Sequence, residues 1–182
     1  MTEPVRERLL AAADELFYAH GMRAVSADKI IDRVGTTKVT FYRHFRTKDD
    51  LVVAYLERRA AAEREGVEAV IAASGGDAEA GLRMMSEGLR TMACTAGFRG
   101  CPFINAAAEY ADAESPVRRV VDSHRAWWTK AFGRMVAPLG LPDHRAADLM
   151  VLRDGAMVAG YLGDADAAAE SFLRAGQALL RG

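Results

Sequence analysis

Apolar side chains recur along this chain at intervals of three and four residues, the period of a helix with one buried face. Leu9, Ala13, Leu16 and Phe17 mark a first helix that Gly21 can end. Ser26 is placed to cap a short second helix that carries Ile30, Ile31 and Val34 inward and stops at Gly35. A third helix, from about Thr37 to His44, has Phe41 and Phe45, four apart, as its buried anchors. Thr47-Lys-Asp-Asp50 then reads as a capping box with Asp in place of the preferred Glu. It opens a long helix through Leu51, Ala54, Tyr55 and Arg58 to about Ala73.

The same punctuation continues. Gly75-Gly76 breaks the long helix, and Asp77-Ala78-Glu79 starts another with acid at its positive end. Leu82, Met85, Leu89 and Met92 form its stripe, and Gly97 to Pro102 is a break whose proline suits a first helical turn. Ser115-Pro116 opens a helix with one wide apolar face from Val117 through Val121, His124, Trp127, Trp128 and Phe132 to Met135. Pro138, Gly140 and Pro142 form a linker. A helix from about Asp143 to Leu162 carries small residues at Ala156, Ala159 and Gly160, and a last helix contains Phe172, Ala175, Leu179 and Leu180. No useful β-alternation occurs, so the pattern predicts an all-α fold of about nine helices.

Composition narrows the class. The chain has 182 residues, between one domain and two, and 51% of them are hydrophobic, enough for a core. Charge interrupts every apolar run well before the ~18 residues that suggest a membrane span. The opening residues Met-Thr-Glu-Pro-Val-Arg-Glu-Arg lack the apolar stretch of a signal peptide, so a cytoplasmic protein without a membrane partner is expected. Cys94 and Cys101 make no disulfide scaffold, no Cys/His spacing suggests zinc, and no cofactor is expected. An enzyme built on His124, Glu109 and Asp112 would need a nucleophile–base spacing, a phosphate loop or a metal motif, and none is present.

The formal charge of −1 conceals an asymmetry. Residues 33–48 hold Arg33, Lys38, Arg43, Arg46 and Lys48 and no acid, a charge of +5 that leaves −6 for the rest. Phosphate binding follows local charge density rather than the total. A helix too short to stand alone, held by two aromatic anchors and facing outward with Lys, Thr, Tyr, Arg and His, fits the second helix of a helix-turn-helix in the major groove of double-stranded DNA. Lys38 can bond guanine O6/N7, and Val39 and the Thr40 methyl can meet a thymine methyl. Thr37, Tyr42, His44 and Lys48 are better placed for phosphates, as is Ser26 at another helix start, while Thr36 and Arg43 complete the DNA-contacting set.

The run Val34-Gly-Thr-Thr-Lys-Val-Thr-Phe-Tyr-Arg-His-Phe-Arg-Thr-Lys-Asp-Asp-Leu51 resembles the DNA-binding signature of TetR-family transcriptional regulators. The close likeness covers about residues 5–55; the rest agrees in length and helical layout. Val39 departs from the glycine or small residue common at its position, which alters base contacts, and Lys29 stands where a capping acid could be. The resemblance implies a three-helix DNA-binding domain over 1–48 and an effector-binding and dimerisation bundle over 49–182. It further implies a homodimeric repressor on a pseudo-palindromic operator, with half-sites about one helical turn (~34–36 Å) apart, released when a small-molecule effector changes the spacing of the reading helices.

Met and aromatic side chains concentrate in the middle helices and can line an adaptable apolar cavity. Met85, Leu89, Met92, Phe103, Trp127 and Trp128 are the candidate walls, with Asn105, Tyr110 and His124 as polar contacts to a small apolar or aromatic effector. The segment Gly100-Cys-Pro-Phe-Ile-Asn-Ala-Ala-Ala-Glu-Tyr110 also resembles a Gly-Cys stretch in a TetR subgroup, some of whose members sense electrophiles or oxidants. That gives an alternative trigger, Cys101 near a helix start with Cys94 as its resolving partner. The last two helices are expected to pair with those of a second subunit as a four-helix bundle.

Overall fold

The computed structural model describes residues 4–181, so residues 1–3 and 182 of the expected domains lie outside the described residues. Among the described residues nine α-helices follow one another: α1 Val5–His20, α2 Ala27–Val34, α3 Lys38–His44, α4 Lys48–Ala73, α5 Ala78–Ala93, α6 Pro102–Glu109, α7 Pro116–Val136, α8 His144–Leu162 and α9 Ala165–Arg181. One 3-10 turn, Ala137–Leu139, occupies the Pro/Gly linker. The chain is all-α, as its periodicity predicts.

Local chemistry sets the helix ends. Gly35 ends α2 at φ 67° and ψ 44°, a left-handed conformation that costs little without a Cβ. Its N–H donates to Asp32 O, and the Thr36 N–H donates to Ile31 O at 3.2 Å, the double closure of a Schellman motif. Ser26 Oγ accepts the Lys29 N–H at 3.3 Å, so α2 is capped despite its basic third residue. At α4, Thr47 Oγ1 accepts the Asp50 N–H at 3.0 Å and Asp50 Oδ2 accepts the Thr47 N–H at 2.9 Å. Aspartate therefore completes the reciprocal box as glutamate would. Asp77 caps α5 through the Ala80 N–H, and Ser115 caps α7 through that of Arg118.

The chain divides into two compact units. The first comprises residues up to Ala60 together with Pro102–Asp122. Leu9, Ala13 and Phe17 of α1, Ile30 of α2, Phe41 of α3 and Leu51, Tyr55 and Leu56 of α4 are all buried. Phe17 meets Tyr55 edge-on at 5.7 Å, and Arg59 grips Asp14 through two hydrogen bonds of 2.6 and 2.9 Å. Such links between α1 and the first half of α4 are why compactness divides the chain inside α4, beyond residue 48.

The second unit comprises Ala61–Cys101 and the chain from Ser123 onward. There α9 packs on α5 and α8. Gly176 makes the first approach possible, since a Cβ at that position would stand 2.9 Å from Leu82 Cδ1. Ser86, buried on α5, donates to Ala169 O on α9 at 2.8 Å.

Candidate functional site

Helix α3 is seven residues long and is stabilised by what surrounds it rather than by its own length. Thr37 Oγ1 accepts the Thr40 N–H at 3.2 Å, which fixes its start. Phe41 and Phe45 are buried with ring centroids 6.0 Å apart, which fixes its roll. The opposite face is presented outward: Val39 is 72% exposed and Tyr42 51%. Ser26, Thr37, Lys38, Arg43 and His44 are exposed beside them, and Thr36, Thr40 and Lys48 are half-buried. All ten residues assigned to DNA thus lie on the α2–α3–α4 segment, eight of them from Thr36 to His44 in the turn and α3.

Beyond the capping bonds of Ser26 and Thr37, the two lysines are also engaged within the protein. The Lys38 ammonium lies 3.0 and 3.1 Å from the two Asp28 oxygens of α2, and this hydrogen bond and charge raise its pKa. Lys48 donates to the carbonyls of Met22 at 3.0 Å and Val25 at 3.2 Å, with Arg23 O at 3.4 Å. Lys48 therefore fastens the start of α4 to the turn between α1 and α2, and a phosphate would have to share its donors. The end of α6 closes the same turn: Glu109 Oε1 accepts the Met22 N–H at 3.1 Å and Oε2 accepts that of Arg23 at 2.6 Å. Beside it the Tyr110 hydroxyl donates to Asp49 at 2.9 Å, and burial together with this bond raises its pKa well above the ordinary phenol value.

The second unit contains a cavity of about 270 Å³. Val67 and Val70 of α4, Met84, Met85, Leu89 and Met92 of α5, Trp128 and Phe132 of α7, Met157 of α8 and Phe172 of α9 form its apolar wall. Glu63 and Arg153 supply the charge. Glu63 Oε2 lies 3.1 Å from His124 Nε2 and accepts from Arg153 Nη2 and Trp128 Nε1, each at 3.2 Å. Burial pushes the Glu63 carboxyl up, but the His124 hydrogen bond and the Arg153 charge outweigh it and hold it below the usual carboxylate range. Arg153, 6% exposed, also donates from Nη1 to Cys101 Sγ and Asp154 Oδ1, each at 3.3 Å, and lies over the Trp128 ring.

Of the nine residues expected at an effector, the cavity wall gathers Met85, Leu89, Met92 and Trp128. Phe103, Asn105 and Tyr110 are not among its wall residues and belong to the first compact unit. His124 stands behind Glu63, and Trp127 lies under the Arg64 guanidinium at 5.7 Å. Of the two thiols, Cys94 is exposed and Cys101 is buried against Arg153. The reading from residue types missed Glu63 and Arg153. The available signal was Arg153-Asp154, a charged pair inside the apolar stretch from Met150 to Met157. Among the described residues no group of His, Cys, Asp and Glu could hold a metal ion, and no helix is long and apolar enough to cross a membrane.

Residues 9–55 match the model of the bacterial regulatory proteins of the tetR family. A TetR-family transcriptional regulator from Streptomyces coelicolor superposes with a TM-score of 0.91 at 38% identity, over 97% of this chain and 88% of that one. The transcriptional activator FasR of Mycolicibacterium smegmatis is 43% identical over 53 residues, 29% of this chain and 24% of that protein. The transcriptional repressor NemR of Escherichia coli is 25% identical over 118 residues, 64% of this chain and 59% of that protein. These two alignments thus span less than two thirds of either relative. The reduced form of E. coli NemR has the same fold, with a TM-score of 0.84 at 20% identity over 97% of each chain.

Proposed function

This chain belongs to the tetR family of bacterial regulatory proteins, and we propose that it is a ligand-responsive repressor that occupies a pseudo-palindromic DNA operator as a homodimer. It is a transcriptional regulator and not an enzyme. The observation that carries the reading is the pairing of α2 and α3 across the Gly35 turn, with Phe41 inward and Val39, Tyr42 and Arg43 outward. Lys38, Val39 and Thr40 read base edges, while Ser26, Thr36, Thr37, Tyr42, Arg43, His44 and Lys48 hold phosphates. Residues 1–48 act as the DNA-binding domain and 49–182 as the effector and dimerisation domain. A short duplex recovered by selection from random DNA should bind far more tightly than random duplex, and Tyr42→Ala with Arg43→Ala should abolish the difference. Equal affinity of the parent for both duplexes defeats the proposal.

A second copy pairs through α8 and α9. Val151 and Leu162 of α8 are 67% and 75% exposed, Val158 and Tyr161 are exposed beside them, and a hollow of about 610 Å³ runs along both helices. Large apolar side chains exposed together on one helix support an interface. Gly160, by contrast, serves the subunit's own packing, 3.3 Å from where its Cβ would meet Ala93.

The effector is a small apolar or aromatic molecule held in the 270 Å³ cavity, whose Met-rich wall can adapt to its shape. The turn closed by Glu109 is the element whose loosening would disturb α2 and α3. An alternative trigger is Cys101, whose sulfur accepts a hydrogen bond from Arg153 Nη1 at 3.3 Å. Cys101→Ser that still releases DNA with every electrophile active on the parent eliminates this second trigger.

A further inference from the structure

The polar end of the cavity offers an acceptor rather than a donor. Both terminal nitrogens of Arg153 are engaged, Nη1 with Cys101 and Asp154 and Nη2 with Glu63. Glu63 differs: His124 Nε2, Arg153 Nη2 and Trp128 Nε1 all meet Oε2, and no described residue donates to Oε1. The Glu63 side chain keeps 28% of its surface open on the cavity wall, against 8% for Arg153. A ligand body that fills the cavity strips Oε1 of solvent, so the site favours a molecule that donates to it.

Charge decides which kind of donor. Glu63 and Asp154 have guanidinium partners in Arg153 and Arg125, the last hydrogen-bonded to Asp154, and His124 also lies 3.1 Å from Glu63. An anion would face the Glu63 carboxylate. A cation would lose its hydration against Val67, Met85, Leu89 and Phe132 without an unmatched counter-charge to replace it. The volume of about 270 Å³ is at the small end of ligand cavities and fits one or two fused rings. We infer that the cavity takes a small neutral molecule with an aromatic body and one hydrogen-bond donor, of which a phenolic hydroxyl is the simplest, given to Glu63 Oε1. The inference rests on reading this cavity as the effector site.

The test is calorimetric titration of the full chain with 2-naphthol, 2-methoxynaphthalene, 2-naphthoate and trimethyl(2-naphthyl)ammonium. The parent protein should bind 2-naphthol about tenfold or more tighter than 2-methoxynaphthalene, the span expected for one hydrogen bond to a charged acceptor. The two ions should bind more weakly than either. In Glu63→Gln the amide oxygen should take over the three internal donors and turn its N–H towards the cavity. The naphthol advantage should then vanish, and 2-acetonaphthone, an acceptor, should bind better than it does to the parent. Equal binding of naphthol and its ether by the parent overturns the inference, as does tightest binding of naphthoate or of the cation, or no binding at all. The parent series stands even if the variant fails to fold. DNA release is read separately on a selected operator duplex. Binding with the predicted preference but without release defeats the effector reading alone, whereas release by naphthol and its ether alike at equal affinity defeats the inference alone.

Discussion

Arg23 and Glu109 are joined at two points: the Arg23 N–H donates to Glu109 Oε2 at 2.6 Å, and Arg23 Nε donates to the Glu109 carbonyl at 2.6 Å. A carboxylate at the end of α6 thus completes the hydrogen bonding of the turn that aims α2. Its second oxygen serves Met22, and a Cβ on Gly21 would stand 3.2 Å from it. Glu109→Ala leaves two backbone N–H groups without this partner and should cost about 1–3 kcal/mol in urea unfolding. The same variant should weaken operator binding, read by fluorescence anisotropy. Unchanged unfolding and unchanged binding would show that water replaces the carboxylate without consequence.

Phe41 and Tyr42 are neighbours with opposite duties. Phe41 is fully buried and Tyr42 is half exposed. Phe41→Ala should cost about 3–5 kcal/mol of stability. Tyr42→Ala should change stability by no more than about 0.5 kcal/mol. Its operator affinity should nevertheless fall by about tenfold, the loss of roughly 1.4 kcal/mol of phosphate contact. A Tyr42 variant that unfolds easily but binds normally would reverse the two assignments.

Acid should weaken the second unit through Glu63. The carboxyl is held below its ordinary range in the folded protein, despite burial, by His124 and Arg153. A carboxyl with a depressed folded pKa gives stability that is fully present above the unfolded value of about 4.3, and loses it as pH falls through the lower folded value. Urea midpoints measured from neutral pH down through this window should drop more steeply for the parent than for Glu63→Gln. Parallel curves would show that Glu63 contributes nothing to the acid response.

Gly176 tests the packing of α9 on α5. A methyl at this position would come within 2.9 Å of Leu82 Cδ1, so Gly176→Ala should overpack the pair and cost about 1–3 kcal/mol despite its better helix propensity. A more stable variant on thermal unfolding would mean that Leu82 moves aside freely.

Helix ends were readable because their chemistry is local. Ser26, Thr37, Thr47 with Asp50, Asp77 and Ser115 each bond a backbone N–H within three residues, so sequence spacing alone displays them. The outward face of α3 was readable for a related reason: once Phe41 and Phe45 are assigned inward, helical geometry places Val39 and Arg43 on the opposite side. The polar end of the cavity was not readable. Arg153 meets Glu63 across ninety positions of sequence, a pairing that only tertiary packing creates. Nor does residue type show unit membership: Phe103, Asn105 and Tyr110 have the chemistry of a ligand wall and belong to the compact unit that holds α1 to α3. Gly160 shows the same limit, since a small residue on a helix permits close approach without saying to which neighbour.

The most direct test of the regulator reading is selection of bound duplexes from random DNA, followed by sedimentation of the complex with the recovered sequence. Two inverted half-sites centred about one helical turn (~34–36 Å) apart, occupied by a whole number of protein dimers, are the expected result. Affinity should fall steeply as salt rises, because phosphate contacts release counterions. Recovery of no shared sequence, or one chain bound to an asymmetric site, would contradict it.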